Sequence, residues 1–173
     1  LSEYIADRKS KGFSVIHTVP LSHQYLSNNG RRNQYGEDFF IEDDYSKINP
    51  RYFDYIDEIV DLANSNGMVI VPLWGWLNEL HHRPEWGDNY IDIEDSKLMA
   101  RYISARYAAD NIVWIIGGDE RYDTDERRKF WDSFARIIKN ATGWRQLATV
   151  HPRGWSASFD YFDADTEWID FQM

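Results

Sequence analysis

The sequence predicts an α/β fold, a parallel sheet covered by helices, on three observations. Short apolar, β-branched runs alternate with stretches of helical period along the chain. Connections from helix to strand are short, whereas those from strand to helix are long. The chain also opens on a helical stretch and stops on a strand-like one, so its 173 residues read as the middle of an eight-stranded (β/α)8 TIM barrel, which needs about 250 residues. Parallel strands require a long crossover, and a helix supplies it.

The first helix is expected over residues 1–9, with Tyr4 and Ile5 apolar. Five strands are expected at 13–19, 68–73, 112–117, 147–150 and 168–173. Between the first four lie three amphipathic helices, whose apolar stripes are Phe53, Ile56, Ile59, Val60 and Ala63, then Leu98, Tyr102 and Ala105, then Phe130, Phe134, Ile137 and Ile138. Asn49 before Pro50 reads as an N-cap with proline in the first turn, and Asn66-Gly67 as a left-handed stop. Asp92 and Thr124 are the expected caps of the other two helices, with Asp125 and Glu126 complementing the positive end of the last one. The helix-to-strand joints at 10–12, 64–67, 110–111 and 140–143 are tight, while the loop at 20–49 runs to about 30 residues against a usual two to six. That asymmetry places the site at the carboxyl ends of the strands. No repeat, linker or low-complexity tract divides residues 1–173, which read as a single, partial domain.

Composition narrows the function. With 43% hydrophobic and 28% charged residues the chain is globular rather than disordered. A net charge of −10 repels phosphate backbones and anionic headgroups, which argues against nucleic acid and membrane as partners. The absence of cysteine removes thiol nucleophiles and thiolate metal sites, and no apolar run of 18 residues spans a bilayer. An aromatic share of 16%, including 8 Trp and 11 Tyr, exceeds what a core of this size needs, so some rings are expected to line a site.

The sharpest local signal is Trp114-Ile115-Ile116-Gly117-Gly118-Asp119-Glu120, an apolar strand ending in two glycines and two acids. The glycines let the backbone turn and leave room for a ligand, and Asp119 lands at the strand's carboxyl end. A carboxyl group in aromatic, partly dry surroundings keeps its proton more readily, as a general acid must. Asp119 is therefore the catalytic candidate; the alternative is that Asp119 or Glu120 caps the following turn. Trp74 and Trp76 flank Gly75 after the second strand, and His81, His82, Trp86 and Tyr90 follow. Indole faces stack on sugar C–H faces while polar neighbours take the hydroxyls; otherwise the rings fill the gap between sheet and helices. His81 and His82 lack the i, i+4 spacing of a zinc helix, so neither a metal nor another cofactor is called for.

His17 in the first strand and His151 after the fourth can bond a hydroxyl or orient a carboxylate. A period of two over 168–173 puts Trp168, Asp170 and Gln172 on one face, so Asp170 would point into a barrel, unless the strand is an ordinary half-exposed edge. The basic runs Arg31-Arg32 and Arg127-Arg128-Lys129 read as solvated surface.

The segment 52–76, the run from Asn111 to Asp119, Thr149-Val150-His151-Pro152 and Asp170-Phe171-Gln172-Met173 together resemble the apiosidase-like glycoside hydrolases, over nearly the whole chain. The resemblance implies a (β/α)8 barrel of which this chain carries strands two to six. It also implies a plant-type polysaccharide as carbohydrate substrate and a periplasmic or extracellular setting. Asp119 would be the acid/base at the end of strand four, and the second carboxylate would lie on a strand beyond Met173. Hydrolysis needs two carboxyl groups, roughly 5 to 5.5 Å apart for retention or 6.5 to 9.5 Å for inversion. Asp170 and Glu79 are the alternatives within the chain. A non-catalytic carbohydrate-binding barrel is the competing function. A nucleotide-binding sheet is opposed by the lack of GxGxxG or GxxxxGK[ST] and by acids beside Gly117-Gly118.

Overall fold

The structure, a computed structural model, describes residues 1–21, 32–42, 44–76 and 91–173, with Trp76 described by its backbone alone. In chain order the elements are α1 (Ser2–Ser10), β1 (Val15–Thr18), β2 (Phe40–Ile41), β3 (Asp44–Ile48), α2 (Pro50–Ser65), β4 (Val69–Trp76), α3 (Ile93–Arg106), β5 (Trp114–Glu120), α4 (Asp125–Ala141), β6 (Ala148–Pro152) and a 3-10 turn at Ser158–Asp160. The main sheet is parallel throughout, in the order β1-β4-β5-β6. Each crossover carries a helix, as the alternating pattern requires. The long loop after β1 holds a short antiparallel pair, β2 with β3.

Local chemistry sets the helix starts. The Asn49 side chain accepts from the Arg51 amide, with Pro50 in the first turn. Asp92 accepts from the Asp95 amide and Thr124 from the Arg127 amide. Gly67, at φ +72, follows α2 and turns the chain into β4.

The sheet has two distinct faces. Ile70, Trp74, Ile112, Trp114, Ile116, Ala148 and Val150 pack with Phe53, Val60 and Ala63 of α2, Met99, Ala100 and Ile103 of α3, and Trp131, Phe134 and Ile138 of α4. The alternate strand residues Val71, Leu73 and Ile115 form a smaller cluster on the opposite, inner face. The stripe expected on α3 is realised only at Tyr102, which packs against the core; Leu98 is 38% exposed and Ala105 is exposed, while Met99, Ala100 and Ile103 are buried with Ser96 and Ser104. Both serine hydroxyls donate back to helix carbonyls, Asp92 O and Ala100 O, each at 2.6 Å, which is why polar residues are tolerated on the buried side.

Four of the five expected strands form, and residues 168–173 do not make the fifth. One ladder-like bond exists, from Asp170 N–H to Ala148 O at 2.9 Å. Side chains then take the backbone partners a ladder would use. The Asp170 carboxylate accepts the Ala148 N–H at 2.6 Å, the Thr149 hydroxyl donates to Phe171 O at 2.7 Å, and the Met173 N–H goes to the Ser158 hydroxyl at 3.1 Å.

Candidate active site

The carboxyl end of β5 departs from regular strand geometry at the two glycines. Gly117 has φ +73, and Asp119 is itself left-handed at φ +51, a conformation aspartate tolerates better than most residues. The pairs Trp74 with Ile116 and Trp76 with Gly118 set Gly75, at φ +80, beside Gly117 on the neighbouring strand. Both strands therefore break their alternation at one level of the sheet. The ladder from β5 to β6 shifts register between Ile116 and Glu120, which re-aims Asp119.

Register also brings His151 to Asp119. Ile115 pairs with Thr149 and Ile116 with Val150, so the two strand ends arrive together. The Asp119 N–H donates to His151 Nδ1 at 3.2 Å, and the same nitrogen lies 3.4 Å from Asp119 Oδ1. The side chains are 43% and 24% exposed, respectively, a more open setting than the dry aromatic one expected from the sequence. Glu120 differs sharply from its neighbour. It is fully buried, its Oε1 accepts the Arg121 N–H at 2.7 Å, and its carbonyl accepts the Arg153 N–H at 3.1 Å. Of the two acids, Glu120 holds the turn and Asp119 faces the open end.

His17, on β1, pairs with Val71 of β4. Its pKa lies below the ordinary histidine value, first because partial desolvation disfavours the imidazolium, then because His151 would add a like charge.

The structure does not bring Trp74 to this site. The ring is 1% exposed on the helix-facing side and stacks on Phe53 of α2 at 6.3 Å. It lines a cavity of about 360 Å³ between sheet and α2, with Ile59, Val60 and Ile70, to which neither Asp119 nor His151 contributes. Trp74 is a core residue. The Trp76 side chain, together with Glu79, His81, His82, Trp86, Tyr90 and Arg31, lies outside the described residues.

Asp170 is likewise held elsewhere. It sits beside Ala148, at the amino end of β6, and its carboxylate binds Lys139 Nζ at 2.7 Å. Lys139, 1% exposed, also donates to Gln146 O at 2.9 Å and lies over the Trp144 ring. The Asp170→Ala change strands this buried ammonium, so a loss of about 3 kcal/mol is expected, read from the denaturant midpoint. The double variant Lys139→Met, Asp170→Asn should recover most of it. Unchanged stability in Asp170→Ala would remove this structural role.

One exposed aromatic residue beyond the carboxyl end of β6 was not singled out from the sequence as a ligand. Trp155, three residues past β6, is wholly exposed at 107% and left-handed at φ +69. Its signal was present in the run from Thr149 to Trp155, where an aromatic follows Gly154. Among the described residues, no group of three or more His, Asp or Glu side chains could hold a metal ion, and no helix is long and apolar enough to cross a membrane.

Comparison with known proteins bears on the fold and the family. Two solved structures resemble the chain over 99% of its length: a glycoside hydrolase family 5 protein from Bacteroides vulgatus, 28% identical with a TM-score of 0.75, and a protein described as a glycoside hydrolase, 27% identical with a TM-score of 0.76. The chain spans only 35% and 37% of those two proteins. The Pseudomonas stutzeri endoglucanase Cel5A, 12% identical over 93% of this chain and 46% of its own, has a TM-score of 0.62 and supports the fold alone. No protein of curated function matches. The sheet is thus part of a (β/α)8 barrel. The family model described as apiosidase-like, catalytic domain, matches residues 1–173, and the chain belongs to that family.

Proposed function

We propose that the chain is part of a glycoside hydrolase that cleaves a plant-type polysaccharide, with Asp119 as general acid/base. The observation that carries this reading is the placement of Asp119, with His151 bonded to it, at the carboxyl end of a barrel strand, where barrel enzymes keep their chemistry. Asp119 would protonate the departing sugar oxygen, and a second carboxylate would attack the anomeric carbon or activate a water there. Asp170 is engaged with Lys139 and Glu120 with the Arg121 amide, so the second carboxylate is assigned outside these two. His17 and His151 would take sugar hydroxyls, and Trp155 would stack on a ring further along the substrate.

The intact protein, incubated with plant cell-wall oligosaccharides, should release new reducing ends. Binding without cleavage would instead favour a non-catalytic carbohydrate-binding barrel. Trp155→Ala should raise KM on longer oligosaccharides about tenfold with kcat nearly unchanged, because a remote stacking contact contributes equally to ground and transition states. An unchanged KM removes Trp155 from the sugar path.

A further inference from the structure

We infer that His151 is a positioning residue: it anchors the Asp119 backbone through an unprotonated Nδ1, and a proton on that nitrogen would exchange the anchor for an ion pair with the Asp119 carboxylate. The inference rests on the reading of Asp119 as the catalytic carboxyl only for its consequence in turnover, not for its geometry.

The deduction begins from a donor that has no choice. A backbone amide nitrogen can only donate, so at 3.2 Å from Asp119 N the His151 Nδ1 must present its lone pair. The ring is then neutral, with its proton on Nε2. The bond is placed where it is needed, because Asp119 is left-handed at φ +51, a conformation that non-glycine residues keep only where their surroundings hold it.

The second contact makes the arrangement two-state. Asp119 Oδ1 lies 3.4 Å from the same nitrogen. With the proton on the carboxyl group, Nδ1 stays an acceptor and keeps the amide. With the proton on Nδ1, the amide loses its acceptor and the imidazolium faces the carboxylate as a counter-ion. The two contacts exclude each other, since one nitrogen cannot accept from the amide and donate to the carboxylate at once. Among the described residues, the charged and titratable groups near this pair include His17 from β1, which when protonated carries the same charge as a protonated His151, the buried Glu120 next to Asp119 on β5, and Arg153 just past β6, whose N–H donates to Glu120 O. General acid catalysis requires the first state; the second would leave Asp119 without its proton and its backbone without its anchor.

Nuclear magnetic resonance of the intact protein, labelled with 15N at histidine and aspartate, tests this without any assay of turnover. At high pH the His151 ring should show the tautomer protonated at Nε2. On acidification the Asp119 amide should show a step at the midpoint of the His151 ring signals, alongside any step from its own carboxyl. His151→Asn places a non-titrating acceptor near the position of Nδ1 and should erase that step while keeping the high-pH amide position; His151→Leu should shift the amide at every pH. A neutral ring protonated at Nδ1, or an Asp119 amide with no step at the His151 midpoint, would overturn the inference. The unaltered protein decides even if His151→Leu fails to fold. Absence of hydrolysis with a shared midpoint would sink the proposed function and leave this coupling standing. Hydrolysis without a shared midpoint would do the reverse.

Discussion

Asp119→Asn in the intact protein is expected to lower turnover of a polysaccharide about 10²- to 10⁴-fold while leaving the fold intact. Asparagine is nearly isosteric with aspartate and accepts the left-handed backbone as readily, so the φ of +51 is kept. The amide that donates to His151 Nδ1 belongs to the main chain and is unaffected. What disappears is a transferable proton. A sugar alkoxide is a poor leaving group and needs that proton, whereas a nitrophenolate departs without it. The loss should therefore be large on polysaccharide and small for the bond-breaking step on a nitrophenyl glycoside, with KM little changed. Equal losses on both substrates would mean that the substitution damages more than proton delivery, and unimpaired polysaccharide cleavage would remove Asp119 from the mechanism.

Elements governed by local chemistry were legible in the sequence. The caps at Asn49, Asp92 and Thr124 and the stop at Gly67 depend on residues within a few positions, and all four appear as read. Features that depend on distant partners were not. Asp170 fits a period-two strand on paper, but its carboxylate meets Lys139, a helix residue 31 positions away, and no spacing rule announces that pair. The α3 stripe misled because Ser96 and Ser104 look polar until their hydroxyls are returned to the helix carbonyls. Trp74 was within reach of sequence reasoning. A period of two from Ile70 through Pro72 assigns it to the helix-facing side, and treating it as a pair with Trp76 across Gly75 obscured this. That Asp119 and His151 share one end of the sheet could be read from strand order, but their contact follows from parallel register, which fixes which two strand ends arrive side by side.

The Gly117→Ala variant should be the most damaging single-methyl change at the site, with a loss of about 3 kcal/mol, or roughly 6 to 12 °C in Tm for a chain of this size. Two costs combine. An L-residue at φ +73 is strained, by about 1 kcal/mol. The added Cβ would also stand 2.6 Å from the Tyr122 hydroxyl oxygen and 3.3 Å from a carbon of the Trp131 ring, both buried. The hydroxyl cannot swing aside cheaply, because it donates to Ile116 O at 2.9 Å on the same strand. Gly67→Ala separates the terms: at φ +72 with nothing near its Cβ, it should cost only the conformational part. Tyr122→Phe removes the clashing oxygen, so combining it with Gly117→Ala should give less than the sum of the single losses, and strict additivity would show that the clash is not the cause. Because Gly117 stands two residues before Asp119, a strand displaced by the added methyl would change where the carboxyl of Asp119, the proposed acid/base, is aimed. Turnover of the folded fraction should therefore fall as well, whereas Gly67→Ala, at the other end of β4, should leave it unchanged.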